Sequence, residues 1–131
     1  MATPSPPPAF LFATRAVARL LFALPFIAAG AVHFIAGREM AGAVPVPGGV
    51  VWVYLTGAAM IAAGVGIATR RLGMWAALGL SLLLVTFIVT VHLPGLAHAA
   101  TRNMAMGNLI KDTALLGGAL TWAGLLASNE Q

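Results

Sequence analysis

Four apolar runs, each long enough to cross a lipid bilayer and joined only by short connections, leave this chain few ways to fold. A hydrocarbon core of about 30 Å is crossed by about 20 helical residues rising about 1.5 Å each. The runs cover roughly residues 16–37, 50–69, 72–93 and 104–127. With 60% hydrophobic and 8% charged residues among 131, an ordinary soluble domain is excluded. The expected fold is all-α, an integral membrane four-helix up-down bundle. It forms one domain over residues 15–127, between a proline-rich disordered tail at 1–14 and a short C-terminal tail at 128–131.

A net charge of +4 raises the question of nucleic acid. The seven basic residues sit dispersed at the ends of apolar runs and form no stripe, so no nucleic-acid partner is expected. They read as topology signals. Arg15, Arg19, Arg70 and Arg71 fall at one membrane face, against Arg38, Arg102 and Lys111 at the other. By the positive-inside rule this four-to-three asymmetry puts both termini in the cytoplasm. The absence of cysteine excludes disulfides, iron–sulfur clusters and thiol redox chemistry. Any redox role would need a bound or partner-supplied group.

The opening MATPSPPPAF is too rich in proline for a helix and reads as a loose tail. A secretory signal is the rival reading of the first apolar run, with Ala29-Gly30-Ala31 as a cleavage site. The run continues past that site through Val32, Phe34 and Ile35, which favours a span. Pro25 predicts a kink near Phe22. The loop carrying VPVPGG predicts extended or turned backbone, with Trp52 and Tyr54 coming next at interface depth. Small residues from Gly57 to Gly66 predict close packing of the second span at the bundle centre. Pro94-Gly95 is expected to stop the third span, with His92 sharing a face with Ser81, Val85 and Ile88. Ser81, Thr86 and Thr90 are expected to satisfy nearby backbone groups.

The fourth span carries Lys111 and Asp112 inside a run otherwise free of charge, and Asn108 stands one turn before them. A charge at the centre of a membrane helix costs about 2.5 to 3.5 kcal/mol on insertion scales, so something must meet it. Up-down threading places His33, Arg38, Glu39, His92, His98, Arg102, Asn108, Lys111 and Asp112 at one face of the membrane. His33, His92, Asn108, Lys111 and Asp112 are the candidate binding residues of an outer pocket. In one reading Lys111 and Asp112 pair with Glu39, Arg102 or backbone carbonyls and only hold the bundle end together. In another the group binds a small polar headgroup or a quinone ring while apolar spans hold its tail. A third is haem or metal ligation through His33 and His92, although two histidines on different helices are a weak signal, and no metal site is assigned. No nucleophile motif supports hydrolysis, and no repeated intramembrane charge supports conduction, so no catalytic residue is named.

The arginine-led first span ending AAGAVHF, the string VPGGVVWVYLTGAAMIAAGVGI before a basic turn, VHLPGL, and NLIKDTALLGGAL together resemble the DoxX family of small bacterial membrane proteins. The likeness runs in order from about Arg15 to Leu126. It implies a multi-pass protein of the bacterial inner membrane with cytoplasmic termini. It also implies association with quinone-linked redox enzymes as an accessory subunit, with quinone as the candidate ligand and no cofactor required. The alternatives are a lipid or small-molecule binding or transport module, and a structural partner or assembly factor, with a homo-oligomer as one form of partnership. Many members carry a glutamate in the second span where this chain has Met60, which weakens any expectation of catalysis here.

Overall fold

The computed structural model describes residues 5–44 and 47–128. Helix α1 (Pro8–Ile35) is followed by a short α2 (Gly37–Met40) and a 3₁₀ turn, and then by α3 (Gly49–Thr69). Helix α4 (Gly73–Phe87) continues through a π turn (Ile88–His92) into the single turn α5 (Leu93–Gly95), and α6 (Arg102–Ala127) completes the chain. Four helical stretches are long and apolar enough to span a membrane: Pro8–Ile35, Gly49–Thr69, Gly73–Gly95 and Arg102–Ala127. The protein is thus a multi-pass membrane bundle, in which helices satisfy internally the backbone groups that lipid cannot. The expectations for the first four residues, for Pro45 and Val46, and for residues 129–131 fall outside the described residues.

The first helix begins earlier than the composition of the tail implies. Pro8 occupies its first turn, where the missing N–H would have had no helical partner anyway. The helix also runs on through Pro25. Each long helix buries one stripe at steps of three and four. In α1 the stripe is Ala23, Phe26 and Gly30; in α4 it is Gly73, Ala77, Leu80 and Leu84. With Met60 and Ile67 of α3 and Ala119, Ala123 and Leu126 of α6, these residues make one core. Lipid is as apolar as leucine, so close van der Waals contact has to hold the helices together.

Helix α1 lies against α3 through glycine. A methyl group added to Gly57 would stand 2.6 Å from the His33 Cβ, and one added to Gly30 would stand 2.6 Å from the Gly57 carbonyl oxygen. The central role of the small residues in the second span is therefore met at the α1 contact. The turn from α3 to α4 is tight, with Arg70 (φ 65°) and Leu72 (φ 53°) both in the left-handed region that glycine occupies more easily.

Candidate functional site

Helix α6 decides which of its two adjacent charges is buried. Ala105, Asp112, Ala119 and Leu126 recur at intervals of seven, and all four are buried, so Asp112 lies on the core stripe. Lys111, one residue earlier, is turned about 100° away. Its side chain is 60% exposed, whereas that of Asp112 is only 6% exposed. A carboxylate in that position needs donors. His92 Nε2 stands 2.8 Å from Asp112 Oδ2, and Lys111 Nζ stands 3.3 Å from Oδ1.

His92 reaches the carboxylate because of the π turn. Continued α-helical spacing from Gly73, Ala77, Leu80 and Leu84 would direct position 91 inward, not 92. The wider turn takes up one extra residue: the Leu93 N–H bonds to the Ile88 carbonyl, five residues back. Sequence features around the turn favour it. Pro94 has no N–H, and in a regular helix its ring would press on the Thr90 carbonyl. Thr86 and Thr90 donate their hydroxyls to the carbonyls four residues earlier, at 2.8 and 2.7 Å, a habit that bends helices. The result departs from the expected shared face: Val85 is 41% exposed while the His92 side chain is 12% exposed. The helix makes one more turn after His92 and ends at Gly95, so Pro94-Gly95 closes the third span as expected, with Pro94 inside its last turn.

The hydrogen bond to a carboxylate assigns His92 Nε2 as the protonated nitrogen in the neutral ring and leaves Nδ1 as an acceptor. The cluster is therefore a carboxylate held by an imidazole and an ammonium, with the long lysine stem reaching outward. Among the described residues, ion pairs are confined to this cluster. Arg102 instead donates Nε to the Leu96 carbonyl at 3.1 Å. The structure thus supplies His92 where one reading expected Glu39, Arg102 or backbone carbonyls as partners.

The five candidate residues do not all meet. His92, Lys111 and Asp112 are in contact. Asn108 lies one turn before Asp112 on α6 and is half-buried. His33 is half-buried on α1, where its Nδ1–H donates to the Ala29 carbonyl one turn back at 2.8 Å. That bond closes within α1 and reaches no other helix. Among the described residues no group of three or more His, Cys, Asp or Glu side chains could hold a metal ion. The cluster does not line the groove of about 910 Å³ on the bundle surface, which runs along α3.

Sequence reasoning missed the π turn and the ranking of the two charges. The recurrence of Ala105, Ala119 and Leu126 around Asp112 was the available signal for the second. Compared with known protein families, curated proteins and solved structures, the chain finds no match.

Proposed function

We propose that this protein is a small accessory subunit of a quinone-coupled membrane redox system, in which His92, Asp112 and Lys111 receive the head of a quinone or quinol. The observation that carries this reading is a buried carboxylate bonded to an imidazole across two helices, with a lysine on its outer side. Lys111 can donate to a ring carbonyl. His92 Nδ1 can take a proton from a quinol hydroxyl, with Asp112 stabilising the imidazolium that results. The second hydroxyl proton would pass to water on the exposed Lys111 side of the cluster. The two electrons would leave to a redox group on a partner subunit, since this chain has no cysteine to hold a cluster. The isoprenoid tail would lie among exposed apolar side chains such as Leu93 and Ile110.

The likeness to the DoxX family supports the same reading, and with it a bacterial inner membrane and cytoplasmic termini. Met60 is buried in the core, so no carboxylate is available at that position of α3. Asp112, on α6, is the buried carboxylate among the described residues. A second reading, in which the cluster only locks α6 to the third span, is favoured by one fact: both carboxylate oxygens already have partners.

Mass spectrometry of lipids extracted from the purified protein separates the two readings. Under the quinone reading the wild-type protein carries quinone, and Lys111→Ala loses it while melting in detergent at nearly the same temperature. A protein without quinone, whose melting temperature drops in Lys111→Ala, sinks the proposal and leaves the structural lock.

A further inference from the structure

A different part of the molecule has the form of a lipid site. The groove of about 910 Å³ follows one face of α3, where the small residues Ala58, Ala62 and Gly66 recur every fourth position. Phe34 of α1 bounds it at one end, and Thr69 and Arg71 at the other. From Ala58 to Thr69 is a rise of about 16 Å. That matches about half of a 30 Å hydrocarbon core, the depth of one leaflet.

The closure of the far end also argues for a single-leaflet occupant. The Phe34 ring stacks on Tyr54, one turn before Ala58, at 5.5 Å between centroids and 2° between planes. The stacked rings cover the α3 face just beyond Ala58.

The near end is basic. Arg71 is exposed, and its guanidinium has no hydrogen bond or ion pair with the described residues. Its backbone N–H is held by Thr69 Oγ1 at 3.4 Å, and Thr69 in turn donates to the Val65 carbonyl at 2.8 Å. Arg70 is adjacent, and Arg15 and Arg19 belong to the same end of the bundle. The Nε of Arg19 is buried and has no hydrogen-bond partner. The described acidic residues, Glu39 and Asp112, lie toward the opposite end. A guanidinium at a groove mouth with no acid beside it among the described residues suits a phosphodiester, which it can engage through two N–H donors.

We infer that the α3 groove holds an anionic phospholipid of the leaflet bordering the Arg70–Arg71 turn, its acyl chain along Ala58, Ala62 and Gly66 and its phosphate on Arg71. The site does not involve the His92–Asp112 cluster and does not depend on the quinone reading.

Delipidated full-length protein in detergent is titrated with phosphatidylglycerol or phosphatidylcholine of identical acyl chains, and bound lipid is read by native mass spectrometry. Phosphatidylglycerol should bind about tenfold more tightly. Arg71→Gln should abolish that preference. Ala62→Phe, which fills the groove at an exposed position and spares the core, should reduce binding of both lipids. Equal binding of the two lipids by the wild-type protein overturns the proposal. So does a phosphatidylglycerol preference that survives in Arg71→Gln, or lipid binding that Ala62→Phe leaves intact while it converts a dimer to a monomer. Circular dichroism melts of each variant check that it is folded.

Discussion

His33 and His92 stand at similar depths in two neighbouring helix pairs, yet the fold employs them in opposite ways. His33 packs on Gly57, about 18 Å along α3 from Thr69, while the Asp112 partner of His92 lies about 21 Å along α6 from Leu126. His33 commits its donor within its own helix, to the Ala29 carbonyl. His92 directs its donor to a carboxylate of a different helix. The α1–α3 contact relies on glycines that let backbones touch, so it holds whatever the state of the His33 ring. The contact between the third and fourth spans includes a buried charge that must be met. A histidine in a membrane helix therefore carries little information until its acceptor is known.

The largest test of this contrast removes the acceptor. Asp112→Ala should lower stability in detergent by about 1.5 to 3 kcal/mol, the usual cost of losing a hydrogen bond to a charged group and leaving the buried His92 N–H without its acceptor. In a thermal melt combined with His92→Ala, the two changes should be strongly non-additive, whereas His33→Ala and Asp112→Ala should add. Additive behaviour of His92 and Asp112 would mean that the pair is not coupled. Gly57→Ala probes the other side of the comparison. Its added methyl would lie 2.6 Å from the His33 Cβ, so overpacking should cost about 1 to 3 kcal/mol on chemical denaturation. Smallest of all, Lys111→Ala should cost less than about 1 kcal/mol in the same assay, because its side chain is 60% exposed and Asp112 keeps His92. A larger loss would show that the ammonium is the principal partner of the carboxylate.

The spans were legible because a 20-residue apolar run has one outcome in lipid, and their observed limits differ from the expected ones by little outside α1. The start of α1 was hidden because proline is a helix breaker inside a helix and a good starter at its first turn. Lys111 and Asp112 announced that a partner must exist, and the sequence offered several. The choice of His92 turned on the π turn, which adds a residue without any break in the apolar pattern from Gly73 to Val91. His33 and Lys111 were both placed at the right depth by threading, but depth does not fix the angle at which a side chain leaves its helix. The hydroxyls of Ser81, Thr86 and Thr90 bond to their own helices, as expected for such groups in lipid.

One residue between Ile88 and Val91 is surplus to a regular helix, and the chain retains it as slack. A chain lacking it could straighten and still keep imidazole opposite aspartate, because the inward position would then fall on the histidine without help. The bulge thus acts as a spacer that reconciles two counts along one helix: the leucine-rich part fits the core from one end, and the proline-bounded end fits Asp112 from the other.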